Sequence, residues 1–375
     1  MLFTASATFL LTFFILPGTA EPDPALQADL QRILEVREMI AHRFVGEYDE
    51  SALTHAALVA TVQALGDPWS RYLTQEEYEA HLRRMGNRHQ GIGINFLRHE
   101  DSNEMLVISV TLGSPAEEAG LVPGDTIVSL QGQFTGDLET EVIQQMVTDQ
   151  LDNFVTLDVR DEAGEMRTIR VYVREFFAIP VVYEMKEGNI GYIRIINFDQ
   201  GSDSATEAAI ANLRNAGARG LIFDVRSNPG GRLHDFLNII NFLVPEGEIF
   251  VYEDQNGVEH VRHSDSNYIK MPMVVLVDQN SYSAAELFAA VLQEYDWATI
   301  VGTATTGKSR VQNTIPLSTG SALHLSVSRY LTPGRVDLYE SGGVQPDYVV
   351  ELEDGGVDNQ MEKALEIIER LIANF

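Results

Sequence analysis

Cysteine is absent from the 375 residues. That removes disulfides, thiolate metal sites, iron–sulfur clusters and a cysteine nucleophile. Positive charge is scarce: 26 Lys and Arg stand against 55 Asp and Glu, leaving −29. A surface of that sign repels phosphate backbones and anionic membranes, so no nucleic-acid partner is expected. Lysine is the scarcest cation, present only as Lys186, Lys270, Lys308 and Lys363. Long apolar runs are missing too, because no segment after the first twenty residues is long and apolar enough to cross a bilayer. The nine histidines lack metal-ligand spacing. His260 and His263 fall in a strand or turn pattern where a separation of three does not converge, so no metal and no other cofactor is expected. What remains is ample for folding, with 45% hydrophobic and 22% charged residues. The length suggests two or three domains.

Residues 1–20, MLFTASATFLLTFFILPGTA, carry no charge, and Gly18-Thr19-Ala20 resembles a cleavage site before Glu21. We read them as a signal peptide that lacks the usual basic start, with an uncleaved anchor near a membrane as the alternative. The expected location is the periplasm, cell envelope or exterior. Residues 21–90 repeat apolar side chains at helical spacing: Leu26, Leu30, Ile33 and Leu34, then Leu58, Val62 and Leu65. Thr74-Gln75-Glu76-Glu77 reads as a capping box. Between these helices Trp69 and Tyr72 are read as packing residues. Residues 91–175 alternate like short strands, with a hairpin turning at Glu162-Ala163-Gly164. Residues 176–350 alternate strands and helices, with Ser204 capping one helix, which implies a largely parallel sheet. An amphipathic helix closes the chain in 351–375.

One string matches a phosphate loop: Gly302-Thr303-Ala304-Thr305-Thr306-Gly307-Lys308-Ser309. Phosphate binding there requires a helix starting at the lysine. The continuation Val311, Thr314, Ile315 and Pro316 is strand-like instead, leaving a nucleotide hydrolase as a minor alternative. A second constellation uses the same lysine. Ser283 lies in Asn280-Ser281-Tyr282-Ser283-Ala284-Ala285-Glu286, between an apolar strand and a helix. At such a helix start the free amides, that of Ala284 above all, can receive the charge developing on an attacked carbonyl. A serine needs a base, and no G-x-S-x-G elbow is present. Lys308, among threonines and glycine with no carboxylate close in sequence, serves if burial lowers its pKa. On one strand Lys308 and Gln312 would share a face, letting the glutamine orient the amine. Asp224, ending LIFD, is expected to bond the neighbouring NPGG turn.

The ordered blocks DPWSRYL, GIGI, SPAEEAGLVPGDTIVSLQG, IGYIRIINF, LIFDVRSNPGG, VVLVDQNSYSAAE, VGTATTGKSRVQ and SVSRYLTPGR with GVQPD resemble the carboxy-terminal processing (tail-specific) proteases. The likeness covers about three-quarters of the chain, from Gly66 to Val350. It implies an α/β crotonase-like serine protease core with an inserted β-rich PDZ domain and an N-terminal helical region. Ser283 then matches the nucleophile, Lys308 the general base and Gln312 its support. The backbone amides of Ala284 and of Gly230 or Gly231 match the oxyanion hole. Gly91-Ile92-Gly93-Ile94 matches the loop that binds a peptide's terminal carboxylate before the ligand adds as a strand. Ala285, Tyr282 and Ser309-Arg310 depart from the family's usual residues without removing the dyad. The implied protein is an exported endopeptidase acting on proteins or peptides with free C-termini. It associates with itself through amphipathic helices at 24–45 and 359–373. The alternative from another class is a non-catalytic peptide-binding protein on the same scaffold.

Overall fold

The computed structural model describes residues 24–99, 101–353 and 357–375; the expected signal peptide lies outside them. Two helices come first, α1 (Pro24–Arg43) and α2 (Glu50–Gln63). Arg37 of α1 donates to Thr54 of α2 at 2.8 Å, and α1 buries none of its residues. After the Gly66–Ser70 turn comes β1 (Arg71–Leu73), a short strand absent from the sequence reading, then α3 (Gln75–Met85). The capping box at Thr74 is present. Its hydroxyl accepts from the Glu77 amide at 3.2 Å, and the Glu77 carboxylate accepts from the Thr74 amide at 2.7 Å.

A β-rich unit follows: β2 (Arg88–Gly91), β3 (Ile94–Arg98), β4 (Met105–Val110), α4 (Pro115–Glu118), β5 (Thr126–Leu130), β6 (Gln133–Phe134), α5 (Thr140–Thr148), β7 (Asn153–Arg160) and β8 (Met166–Phe177). They form one sheet in the order β2-β8-β7-β5-β4-β3, with β6 attached to β5. Alternate residues Val155, Leu157 and Val159 face its core, where Ile127, Leu130 and Ile143 meet them. Asn87 stands at the entrance. Its side chain donates to Gln200 O and accepts from Asn197, both at 2.8 Å, while its carbonyl accepts from Ala178 at 2.9 Å.

The remainder contains β9 (Val181–Lys186), β10 (Ile190–Ile195), α6 (Ser202–Asn215), β11 (Gly220–Asp224), α7 (Leu233–Asn241), β12 (Gly247–Glu253), β13 (Glu259–Ser264), β14 (Met273–Val277), α8 (Ala284–Glu294), β15 (Ala298–Gly302), β16 (Arg310–Pro316), β17 (Ala322–Leu331), β18 (Tyr348–Val349) and α9 (Asn359–Asn374). One sheet runs β18-β15-β14-β11-β10-β9, parallel except for β9. Its middle strands GLIFD and MVVLV are buried throughout because helices cover both faces. Helices α6, α7 and α8 fill one side with Ile210, Phe236 and Phe288. Helix α9 lays Ala364, Ile367 and Ile368 on the other, against Ile222, Val274 and Val301. A second sheet orders β1-β17-β12-β13, with β16 also on β17.

Two expectations change. Helix α6 starts at Ser202 after Gly201 at φ 88°, so Ser204 lies inside the helix and does not cap it. The apolar face of α9 is spent on its own sheet, which removes half of the reason for expecting association through the terminal helices. His260 and His263 lie on β13, where an odd separation puts them on opposite faces. No group of three metal-ligating side chains is present among the described residues. Truncating Ile368 to Ala should cost about 2–5 kcal/mol. It should lower the denaturant midpoint with the slope unchanged; an unmoved midpoint would show that α9 contributes nothing to the core.

Candidate active site

Strands β15, β14 and β11 are neighbours, and their carboxyl ends open side by side, the usual place for a site in an open parallel sheet. From β11 comes the Asn228-Pro229-Gly230-Gly231 loop, from β14 the loop ending at Ser283, and from β15 the loop carrying Lys308. The β14–α8–β15 crossover thereby cancels the separation between Ser283 and Lys308 along the chain. Asn228 locks two of the loops together: its side chain donates to Ile195 O at 2.7 Å and its carbonyl accepts from the Tyr282 amide at 3.1 Å.

Ser283 occupies φ 60°, ψ −121°, a conformation a non-glycine residue holds only when its surroundings dictate it. It is a strained strand-to-helix elbow without the glycine signature. Room for it comes from Gly230, where an added Cβ would stand 2.8 Å from Ser283 Cβ and 2.9 Å from the Ala284 amide nitrogen. The amides of Ala284 and Gly231 donate to no protein acceptor among the described residues, whereas the Gly230 amide donates to Asn228 Oδ1 at 2.8 Å.

Glu286 had no part in the sequence reading and turns out to connect the site. Fully buried, its carboxylate accepts from the Ser283 amide at 2.9 Å, the Thr305 hydroxyl at 2.6 Å, the Gly307 amide at 2.6 Å and the Lys308 amide at 2.9 Å. Burial pushes its pKa up, and these four bonds pull against that. The only hint in the sequence is an acid at the third helical position after Ser283.

Lys308 is buried, and desolvation lowers its pKa to about 8 against the attraction of Glu286. Its Nζ lies 4.6 Å from the Trp69 ring centroid and 5.8 Å from that of Tyr282, and these two rings stack on each other. Trp69 therefore packs against the lysine as well as the fold. Ser283, Ala284, Gly231, Lys308 and Gln312 all face one cavity of about 570 Å³. Gly230 stands behind it. No hydrogen bond joins Ser283 to Lys308. Instead the buried Tyr330 phenol donates to Lys308 O and interacts with the Ser283 hydroxyl.

The even-spacing argument for Gln312 does not hold, because β16 begins only at Arg310 and a bulge separates Val311 from Gln312. Gln312 still reaches the cavity, its amide nitrogen donating to Arg310 O at 3.0 Å and Ser326 Oγ at 3.1 Å. The phosphate-loop string forms no helix at its lysine, since residues 303–309 are loop leading into β16, so it lacks the amide cradle a nucleotide needs. Asp224 accepts from Tyr192 and from the Arg226 amide and guanidinium, not from the NPGG turn.

In the β-rich unit Gly91 and Gly93 take φ 123° and 84°. A Cβ on Gly93 would meet Ser114 Cβ at 2.3 Å, so glycine is needed there for packing as well as for its dihedral. Ile92 is buried and Ile94 packs on the same core. The amides of Ile92 and Gly93 find no acceptor among the described residues, and β3 is the last strand in its sheet.

A parallel-sheet core with a serine elbow, joined to a separate β-rich unit, has the layout of a serine peptidase carrying a PDZ domain. Residues 189–350 match the model of peptidase family S41, and residues 90–173 match that of the PDZ domain. The carboxyl-terminal-processing protease of Synechocystis sp. is 30% identical over 304 residues, covering 80% of this chain and 71% of that one. The carboxy-terminal processing protease CtpA of Bacillus subtilis is 29% identical over 361 residues, 94% of this chain and 77% of that one. Among solved structures, a photosystem II D1 C-terminal processing protease superposes with a TM-score of 0.54 at 26% identity, over 89% of this chain and 90% of that one. The chain belongs to the carboxyl-terminal-processing protease family. It is a serine-type peptidase, and its substrates are peptides or proteins.

Replacing Glu286 by Gln turns an NH2 toward two of the four donors. The change should cost at least about 2 kcal/mol and speed amide exchange either at Ser283 and Lys308, which share one carboxylate oxygen, or at Gly307, which shares the other with Thr305. Wild-type exchange at all three would mean that the carboxylate does not hold the loops.

Proposed function

We propose that this peptidase is an exported endopeptidase that seats a substrate's C-terminal tail on its PDZ unit and cuts with a Ser283–Lys308 dyad. The observation that carries this reading is a buried lysine, its pKa lowered to about 8, sharing one cavity with a strained serine beside two unengaged amides. Neutral Lys308 takes the hydroxyl proton as Ser283 Oγ bonds to the peptide carbon. The Ala284 and Gly231 amides receive the charge gathering on the carbonyl oxygen. Gly230 is excluded from that role because its amide already donates to Asn228 Oδ1. The tetrahedral adduct expels the amine, which leaves with the lysine's proton. Water, deprotonated by Lys308 Nζ, then attacks the acyl carbon, and the lysine returns that proton to Ser283 Oγ as the acyl-enzyme bond breaks. Gln312, its amide nitrogen held by Arg310 and Ser326, has its carbonyl left to orient the ammonium. The strand-end position of these groups supports the crotonase-like description of the core.

Tail recognition rests on the unengaged Ile92 and Gly93 amides beside an edge strand, suited to a carboxylate followed by an added strand. The resting amine lies against Trp69, short of Ser283, so the dyad closes only after a movement. Asn87 is placed to transmit one. It joins the PDZ entrance to Asn197 and Gln200, which flank Phe198, the bridge partner of Gly231. The bare apolar stripe of α1 remains a candidate for self-association.

Ser283→Ala and Lys308→Ala should each lower kcat/KM by roughly 10³-fold or more with folding intact. The base must be neutral, so activity rises with pH and levels off above about 8; at pH 7 roughly one molecule in ten holds a free amine. A profile flat from about pH 6 to 9 would discard Lys308 as base. Amidating a substrate's C-terminus should slow cleavage in the intact enzyme, and equal rates would discard tail recognition.

A further inference from the structure

The net charge of −29 makes the catalytic cavity an exception within its own protein. Arg71, Arg84, Arg232, Arg310 and Lys308 line it, and no Asp or Glu among the described residues does. Arg232 is paired with Asp235 at 3.4 Å and Arg310 with Asp337 at 3.6 Å. Arg71 and Arg84 have no ion-pair partner among the described residues; Arg84 only rests its guanidinium on His81 Nδ1 at 3.2 Å. Asp199 feels the charge of Arg84 but is buried beyond ion-pair distance.

The fold holds this wall in place. Arg71 lies opposite His324 across the β1–β17 pair, and His324 lies opposite Thr314 across the β17–β16 pair. His81 enters from α3, one turn before Arg84. The Thr314 hydroxyl sits between the two imidazoles, 3.0 Å from His81 Nε2 and 2.9 Å from His324 Nδ1. Burial and the neighbouring arginines lower both histidines to about 4, so they stay neutral and add no positive charge of their own. The same arginines also act on Lys308. Two exposed guanidiniums without an acidic partner among the described residues, next to the reacting groups, present their donors to whatever enters the cavity. Planar guanidinium donors match a carboxylate.

We infer that Arg71 and Arg84 form a subsite for a substrate carboxylate within the cleavage cavity, separate from the PDZ loop. It would take either an acidic side chain close to the scissile bond or the free terminus of a short tail. The inference deepens the Ser283–Lys308 reading and rests on it.

Peptides that differ only by Glu or Gln near the scissile bond, each with a free or amidated terminus, test it. Wild type should favour the carboxylate-bearing member of one pair by roughly tenfold in kcat/KM, the scale of a charge-assisted hydrogen bond. The ratio should shrink with added salt. In Arg71→Gln/Arg84→Gln the same ratio should collapse toward one. Taking a ratio within each enzyme cancels the change these substitutions make at Lys308. A Glu/Gln preference assigns the subsite to a side chain, and a free/amide preference that survives PDZ-loop substitution assigns it to a terminus. Equal rates within every pair, or a preference unchanged in the double variant, would overturn the subsite. Full activity of Ser283→Ala would instead overturn the dyad, so the two failures are distinguishable.

Discussion

A single buried carboxylate joins the two halves of the proposed dyad. Glu286 lies on the first turn of α8, and four donors converge on it: one amide from the serine elbow, two from the lysine loop, and the Thr305 hydroxyl. Isolated, such a charge would be too costly to bury. Bonded on all sides, it fixes the position of the elbow relative to the loop. It also opposes the desolvation that lowers the lysine pKa. A carboxylate bonded to the backbone of both loops accounts for a geometry that side-chain contact between Ser283 and Lys308 does not.

Around that carboxylate the site separates its electrostatic tasks. Negative charge is kept behind the walls: on Glu286, on Asp67 held by Ser70, and on Asp337 between two arginines. Toward the substrate the cavity offers amide protons, neutral imidazoles and guanidiniums. The net charge of −29 and the basic lining of the cavity thus stand side by side in one chain.

Much of this was readable from residue order. The apolar runs GLIFD and MVVLV gave the parallel strands, and Thr74 with Glu77 gave a helix start, because burial on both faces and capping leave local marks. Ser283, Ala284, Lys308 and Gln312 could be grouped, and the fold does bring them to one cavity. What escaped depended on distant partners. Strand β1 has only three residues and exists because β17 pairs with it. Glu286 resembles any acid near a helix start until the β15 loop folds onto it. The bulge after Val311 overturns a face count that assumed a regular strand. Trp69, read as packing, gains its second role only when Lys308 arrives from the far end of the chain.

The assembly order of these parts matters during translation. The elbow and the lysine loop hang from adjacent strands of one sheet and Tyr330 from β17 of the other, yet the three interlock after leaving the ribosome one after another. Until residue 330 has emerged, the growing polypeptide lacks the phenol that donates to Lys308 O. Under the proposed dyad, a nascent chain that has released Ser283 but not Lys308 holds the nucleophile without its base.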